Sequence, residues 1–317
     1  RKFFLILGIV LNVLFLSYYK YFSYLPLGIS FFTIMQIIYL VDCYEGMLKP
    51  NTLREHALVV SFFPTVTMGP ILRVNNFLTQ FRETANKGIS LEQLAPSIVL
   101  FSIGLFKKVV IADSFAIIAD TGYGSPSILS MFEGWVTSIS YTLQIYFDFS
   151  AYSDMAIGLG LFFGFVFPKN FDSPYHSKSI SEFWRRWHLS LSNWLRDYLY
   201  IPLGGNKKGN VRTYINLGLV MLLVGLGHGF SWNFIIWGAI HGGMLAFERL
   251  QGKDSFYKSL PAVCRVAITF IIVLFAWVFF RAPDVQTSFN YILSMIGLGE
   301  SNDATGLIGG LIYQPYY

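Results

Sequence analysis

The chain has 317 residues and a formal net charge of +5 at pH 7; 54% of its residues are hydrophobic and only 13% are charged. Soluble domains typically contain about 25% charged residues, so this composition argues against an ordinary soluble domain and indicates a protein dissolved in the lipid bilayer. The two cysteines suggest neither a disulfide framework nor a metal site, and long apolar runs separate the basic residues, which argues against nucleic-acid binding.

Apolar runs in the first part of the chain predict several membrane elements, because a spanning helix needs about 20 mostly apolar residues. The run 57–72 contains Pro64 and Pro70 and is expected to kink or re-enter the membrane. The run 94–119 is interrupted by Lys107 and Lys108, so 109–119 is predicted as a separate short helix. The elements in chain order are spans at 3–19 and 25–41, the broken run 57–72, a polar loop or surface helix at 73–88, and the interrupted run 94–119.

The second part of the chain alternates apolar runs with polar segments. The segment 171–200 is rich in Trp and Arg and too polar to cross lipid, so one amphipathic, partly buried helix is expected there. The apolar run 263–280 is expected to stop at Arg281-Ala-Pro283. The other elements are a pair of helices at 135–149 and 155–167 flanking a polar patch, a basic loop at 206–212, apolar helices at 214–226 and 234–247, a polar stretch at 300–305 and an apolar run at 306–317.

These lengths predict about eight to ten helices in all, short ones included. Residues 1–317 are predicted to form one membrane-embedded domain of a longer protein, because the chain starts on Arg1 and ends on an apolar run. Cytoplasmic loops of membrane proteins carry an excess of Lys and Arg. That rule places the following residues on the cytoplasmic side: Arg185, Arg186, Arg196, Lys207, Lys208 and Arg212.

His228 lies between two glycines at the end of an apolar run, in the sequence GLGHGFSWN. An ionisable side chain in a membrane segment is expensive and suggests a function. An imidazole titrates near neutral pH, so His228 can accept a hydroxyl proton as a general base. The alternative is a histidine that only hydrogen-bonds a neighbouring helix, and the local pattern favours neither reading. Asn233 follows in the same motif, and His241 on the next apolar run is expected to face the same cavity.

The segment SEFWRRWHLSLSNWLRDY contains a dense set of candidate residues, including Trp187 and His188. Arg186 and Arg196 can hold carboxylate or phosphate groups through paired donors, and Asp197 can orient a histidine or pair with an arginine. The same letters also fit an interfacial helix with Trp anchors and snorkelling arginines.

A third polar cluster, YFDFSAYSDM, places two carboxylates and several hydroxyl groups between apolar runs. Asp148 is a candidate for lining a polar cavity. For Ser153 and Asp154, helix capping is the favoured reading.

In combination, the motifs YFDFSAYSDMAIGLG, FDSPYHSKSISEFWRRWHLSLSNWLRDYLYIPLGGN and GLGHG followed by WNFIIWGAIHG are more specific. In this order and spacing they closely resemble the membrane-bound O-acyltransferase family, over nearly the whole chain. The nearest branch is the bacterial one that includes alginate and peptidoglycan O-acetylation proteins and the D-alanyl transfer protein of teichoic acid.

The resemblance implies an all-α, polytopic membrane helix bundle around a central funnel or tunnel, with re-entrant and amphipathic helices. It implies that His228 is the reactive histidine, deep inside the tunnel, and that His188 is a second functional histidine. One position departs from the family pattern, because Gly227 stands where a tryptophan is usual. That departure is expected to open the tunnel wall or to change which acyl group fits. The supporting residues expected around the site are Arg185, Arg186, Trp187, Arg196, Asp197, Asp148, Asn233 and His241.

The implied reaction moves an acyl group, expected to be acetyl, from a cytoplasmic thioester donor toward hydroxyls of an exported polysaccharide or of peptidoglycan. The donor is acetyl-CoA or an acyl carrier protein, and no bound cofactor or metal is expected. Arg185, Arg186 and Arg196 suit such an anionic donor. The expected setting is the bacterial inner membrane, with a periplasmic acetyltransferase as partner.

Two other functions fit parts of the pattern. Intramembrane histidines and Asp148 can form the proton or substrate path of a transporter or channel, although no inverted repeat is visible in the sequence. A scaffold that only recruits a periplasmic transferase is the third possibility.

Overall fold

A computed structural model describes residues 1–22, 24, 26–48, 51–84, 91–125, 129–252 and 256–299. Every regular element within these ranges is helical, which confirms the all-α prediction. The predicted polar stretch 300–305 and apolar run 306–317 lie outside the described residues. Among the described residues, four helices are long and apolar enough to cross a membrane, namely Lys2–Tyr21, Leu91–Gly124, Asn210–His228 and Ala262–Arg281.

The chain forms two compact units, each assembled from separate segments. The first unit consists of Arg1–Phe106, Phe149–Asp172 and His188–Pro202. The second consists of Lys107–Asp148, Ser173–Trp187 and Leu203–Tyr317.

Two helices of the first unit begin at a clear local signal in the sequence. Gly28 precedes the second helix with φ +73°, and a Cβ atom there would lie 2.2 Å from the Val66 carbonyl oxygen, so only glycine fits. Thr52 and Glu55 form a capping box at the third helix. The helices are α1 (Lys2–Tyr21), α2 (Ile29–Glu45), α3 (Leu53–Ser61), α4 (Val74–Thr84) and α5 (Leu91–Phe106).

The core of the first unit is mainly aromatic. Phe77 stacks on Phe165 with ring centroids 4.7 Å apart, and Phe62 meets both rings edge-on. Helix α4 therefore has a fully buried face, with Phe77 only 1% exposed. The polar segment 73–88 was expected to be a loop or a surface helix. It contains a helix, and that helix anchors the core.

Two predicted helix breaks are wrong. Residues 91–124 form one helical stretch, in which a π-helical turn at Lys107–Ala112 joins α5 to α6 (Asp113–Gly124). The predicted pair around the polar patch is a single helix, α7 (Met131–Phe162), so Ser153 and Asp154 cap nothing. The Ser153 hydroxyl does not interrupt the helix, because it accepts a hydrogen bond from Asn170, which lies outside the helix.

The segment 171–200 is not one amphipathic helix, as predicted, but a series of short ones. His188 has φ +44° and ψ +57°, a left-handed conformation that separates two of them. The pieces are a 3₁₀ turn at Pro174–His176, α8 (Ile180–Trp184), α9 (Leu189–Leu195) and a π-helical turn at Arg196–Tyr200. The Glu248 carboxylate fixes the start of α8 by accepting from the Ile180 and Ser181 amides at 2.5 and 2.9 Å.

The second unit contains α10 (Asn210–His228), α11 (Trp232–Leu250), α12 (Phe256–Ser259), α13 (Ala262–Arg281) and α14 (Val285–Met295). The first two form a tight hairpin in which glycines allow the backbones to touch. Helix α13 stops at Arg281, as the following Ala-Pro predicts. Helix α14, which the sequence did not predict, is capped by Asp284 accepting from the Thr287 amide at 2.7 Å.

Candidate active site

His228 is the last residue of α10, at the turn of the α10–α11 hairpin. Its ring meets the edges of Phe280 and Trp237 at centroid distances of 5.0 and 5.5 Å, with Phe234 at 6.1 Å. The side chain is exposed, so a reacting molecule can reach it. The resemblance implied a histidine deep inside a tunnel. Within its unit the histidine sits on an aromatic wall with an accessible side.

The glycines that precede His228 differ in their surroundings. A Cβ atom on Gly225 would lie 2.2 Å from the Phe234 carbonyl oxygen, so this glycine lets α11 approach α10. A Cβ atom on Gly227 would meet nothing within 4 Å. The space beside the histidine, where the family usually has tryptophan, is therefore open among the described residues.

Trp237 lies between His228 and a second histidine, His241. It is 1% exposed, and its ring centroid is 4.9 Å from that of His241. His241 itself is fully buried, and its Nδ1 accepts a hydrogen bond from Trp184 Nε1 at 3.3 Å. Its Nε2 has no hydrogen-bond partner among the described residues. His241 therefore packs in the same buried aromatic wall as Trp237, and its supporting role stays a prediction.

Asn233 is buried and serves to hold the hairpin. Its Nδ2 donates to the Ala282 carbonyl at 2.7 Å, which ties the start of α11 to the end of α13. Its Oδ1 has no partner among the described residues.

His188 belongs to the first unit and is held much more tightly. It is 6% exposed, and its Nδ1 lies 3.1 Å from Asn170 Oδ1. Phe149 packs edge-on against the ring at 4.7 Å. A left-handed backbone at a residue other than glycine costs about 1–3 kcal/mol and persists only where surrounding contacts fix it. Asn170, absent from the sequence predictions, supplies those contacts: its carbonyl group accepts from the Leu189 amide and its side chain accepts from Ser190.

The block WRRWH divides into exposed cations and a buried aromatic core. Arg185 is exposed and forms no ion pair with another described residue. Arg186 pairs with Glu182 at 2.7 Å. Burial alone would raise the pKa of Glu182, but the Lys178 amide and the Arg186 guanidinium outweigh it and leave this pKa below its usual value. Trp187 is buried and stacks on Phe183 at 5.6 Å, so it packs the second unit.

Asp197 is a shared counter-ion. Its carboxylate accepts from Arg196 at 2.8 Å and also from Arg73, a residue that the sequence did not single out. Asp197 contacts no histidine among the described residues. Of its two predicted roles, the geometry therefore supports pairing with arginine.

Asp148 pairs with Lys108 at 2.6 Å, and the same ammonium group reaches Asp113 at 2.8 Å. This triad lies at the π-helical turn of the second unit, so Asp148 is a partner of the lysine that the sequence had marked as a helix break.

The structure therefore brings His228, Trp237, Phe280 and His241 together in the second unit, and His188 with Asn170 and Asp197 with two arginines in the first. The sequence contained a signal for Trp237 as a site residue, because it lies four residues before His241 and so shares the same helix face. Phe280 and Asn170 had none, because each is far along the chain from the histidine that it contacts.

Comparison with known proteins matches the sequence of this chain to one family. The model of MBOAT, the membrane-bound O-acyltransferase family, matches residues 57–282. The chain belongs to that family and is a multi-pass membrane protein.

Curated relatives extend the match. The chain is 40% identical to a peptidoglycan O-acetyltransferase of Helicobacter pylori, over 94% of this chain and 65% of that protein. It is 41% identical to the probable alginate O-acetylase AlgI of Pseudomonas aeruginosa, over 98% of this chain and 65% of that protein. A teichoic acid D-alanyltransferase of Bacillus subtilis is 31% identical over 80% of this chain. The chain thus spans about 65% of the length of the first two relatives.

Proposed function

We propose that the protein of which this chain is part is a membrane O-acyltransferase that transfers an acetyl group, with His228 as the general base. The observation that supports this most directly is the exposed His228 at the hairpin turn of a chain that belongs to the acyltransferase family. A general base must be reachable by the proton it removes. Among the three histidines of the candidate site, His188 and His241 are buried and His228 is exposed.

The chemistry needs one proton acceptor and one positioned acyl donor. His228 takes the proton of the acceptor hydroxyl as the oxygen attacks the thioester carbonyl carbon. The carbon–sulfur bond then breaks, and the proton passes from His228 to the departing thiolate. Trp237 and Phe280 pack at steep angles against the imidazole, with ring centroids 5.5 and 5.0 Å away, and restrict how it can turn.

The donor in this proposal is a cytoplasmic thioester, acetyl-CoA or an acyl carrier protein. The final acceptor is a hydroxyl group of an exported polysaccharide or of peptidoglycan, by analogy with the names of the Helicobacter and Pseudomonas relatives. The protein then lies in the bacterial inner membrane, and a periplasmic acetyltransferase receives the acyl group. His188 assists through positioning or proton transfer, and the exposed Arg185 attracts the anionic donor.

The test is acyl transfer in membrane vesicles that contain the full-length protein. Radiolabelled acetyl-CoA is supplied on the cytoplasmic side, and label on hydroxyl acceptors is counted for the wild type and for His228→Ala. We expect the variant to lose activity by about 10²–10⁴-fold, the usual contribution of a general base. His176→Ala is the matched control, since His176 is also exposed but lies outside the site.

Full activity of His228→Ala at normal protein level would contradict the proposed mechanism. Ion flux measured in the same vesicles distinguishes the acyltransferase from a transporter, since a transporter predicts flux without transfer of label. The scaffold hypothesis predicts that His228→Ala stays fully functional as long as complexes still form.

A further inference from the structure

Arg281, the last residue of α13, ties that helix to two others. Its Nη2 donates to the Asp120 carboxylate on α6 at 2.7 Å. Its guanidinium carbon also lies over the rings of Tyr123 and Tyr141, at 5.5 and 5.9 Å from the ring centroids. Because Tyr141 belongs to α7, one side chain links the end of α13 to both α6 and α7.

The aromatic surface beneath Arg281 is buried and well packed. Tyr123 and Tyr141 are 5% and 7% exposed. Tyr123 stacks on Tyr291 of α14 with ring centroids 4.5 Å apart, and the Tyr291 hydroxyl donates to the Gly134 carbonyl at 3.0 Å. A cation over an aromatic face is attracted by the ring. The guanidinium is therefore held by two fixed rings as well as by its carboxylate partner.

A second anchor holds the residue that follows. The Ala282 carbonyl accepts from Asn233 Nδ2 at 2.7 Å, which connects it to the start of α11. The last four carbonyl groups of a helix have no partner within the helix, so groups outside it must hold its end. Arg281 and Ala282 thus fix the end of α13 from two sides.

Phe280 directly precedes these two anchored residues and packs against His228. The two ring centroids are 5.0 Å apart, at an interplanar angle of 72°. Phe280 also packs on Phe234 and Trp237, at 5.1 and 5.4 Å, and both of these rings contact the histidine themselves. A shift of the end of α13 therefore reaches the imidazole through Phe280.

We infer that Arg281 is a positioning residue, which holds the end of α13 and thereby sets the orientation of the His228 imidazole through Phe280. This inference rests on the proposed function, in which that imidazole is the general base. The ion pair is partly exposed, with 35% of the Arg281 side chain and 58% of the Asp120 side chain accessible. Exposed ion pairs contribute little to global stability, so loss of this one should lower catalysis while the melting temperature changes little.

The test measures acetyl transfer in membrane vesicles that contain the full-length protein. Arg281→Gln should lower kcat by about 10- to 100-fold, since a small misplacement of a catalytic group has an effect of that size. The KM for acetyl-CoA should stay within about twofold of the wild type. Arg281→Lys keeps a cation beside Asp120 and should recover most of the lost kcat. A rise in KM at unchanged kcat would overturn the positioning role.

Asp120 provides a test of the pairing. Asp120→Asn should lower kcat in the same direction but less, because the tyrosine rings still hold the guanidinium. The double variant Arg281→Gln/Asp120→Asn should be no worse than Arg281→Gln alone, since residues that act as a unit are not additive. Losses that multiply in the double variant would contradict the pairing as the basis of the effect.

An independent measurement follows the His228 ring itself. Diethyl pyrocarbonate modifies accessible imidazole groups, and peptide mass spectrometry gives the rate at each histidine. Arg281→Gln should raise the rate at His228 by about threefold or more, because a ring released from packing is exposed for more of the time. The rate at His176, an exposed histidine outside the site, should not change.

The matched controls change charges elsewhere on the same two helices. Arg265→Gln alters an arginine near the start of α13, which also lies over a tyrosine ring. Asp113→Asn removes a carboxylate at the start of α6, whose cationic partner keeps a second carboxylate. Both should leave kcat and the His228 modification rate within about twofold of the wild type. Effects as large as those of Arg281→Gln would overturn the inference.

His228→Ala separates this inference from the proposed function. An unchanged His228 modification rate in Arg281→Gln would overturn the inference, and an inactive His228→Ala would then leave the proposed function standing. A raised modification rate at unchanged kcat, with His228→Ala inactive, would also overturn the positioning role. A raised rate together with a fully active His228→Ala would reject the proposed function and leave the link between Arg281 and the imidazole standing.

Discussion

His188 and His228 stand in opposite environments. His188 is buried in the first unit, has a left-handed backbone and is hydrogen-bonded to Asn170. His228 ends a helix of the second unit, is exposed, and meets the edges of aromatic rings. The difference suggests a division of labour in which one imidazole is fixed by its surroundings and the other is presented to a reactant.

The largest expected effect is a loss of acyl transfer in His228→Ala, whereas His188→Ala should mainly lose stability. His228→Ala should lower acyl transfer by about 10²–10⁴-fold with little change in the melting temperature, because the lost side chain is exposed. His188→Ala should destabilise its unit by about 1–3 kcal/mol, because Asn170 loses a buried partner. Thermal unfolding and vesicle transfer assays on both variants check this. If His228→Ala proved the less stable of the two, the comparison would fail.

The aromatic wall offers the next test. Trp237→Ala should lower the free energy of unfolding by about 3–5 kcal/mol, the usual cost of removing a buried tryptophan, and should release the His228 ring. Trp232→Ala is the matched control, since Trp232 is 71% exposed. Trp237→Phe should keep the ring contact and most of the activity. A Trp237→Phe variant that is stable but as inactive as His228→Ala would show that the indole does more than support the ring.

The two glycines before His228 form a matched pair. Gly225→Ala puts a methyl group into the Phe234 backbone and should destabilise the hairpin by about 1–3 kcal/mol, as overpacking does. Gly227→Ala meets open space in a helix and should stabilise it by about 0.5–1 kcal/mol. Denaturant unfolding of both variants measures the difference. Equal behaviour would mean that the hairpin is less tightly packed at Gly225 than the 2.2 Å approach indicates.

The smallest effect concerns acid sensitivity of the unit that holds His188. Hydrogen bonds from Arg82 and from the Thr52 amide lower the pKa of Glu55 from 4.5 to about 2. Because the folded-state pKa lies below the unfolded one, this stabilisation is complete above pH 4.5 and declines as the pH falls toward 2. Glu55→Gln should therefore reduce the fall in melting temperature across that window. An unchanged pH profile in the variant would contradict the assignment.

Helices whose signal is local were predictable. The apolar runs behind α1, α10, α11 and α13 were found because length and hydropathy alone define them. The breaks predicted at Lys107–Lys108 and at Ser153–Asp154 were wrong because the sequence does not show that Asp148 pairs with Lys108 or that Asn170 donates to Ser153. The long helix predicted over 171–200 was wrong because a left-handed residue, His188, divides it.

The sequence by itself determined the membrane environment, the all-α class and the family, because composition, the length of apolar runs and the order of the motifs are properties of the chain. Tertiary structure decided which histidine is reachable and which is held. His188, His228 and His241 carry the same imidazole, and their exposure and hydrogen bonds depend on residues distant in the chain, such as Asn170, Phe280 and Trp184. A side chain gains its chemical role from the groups that folding places around it, and hydropathy or spacing does not specify those groups.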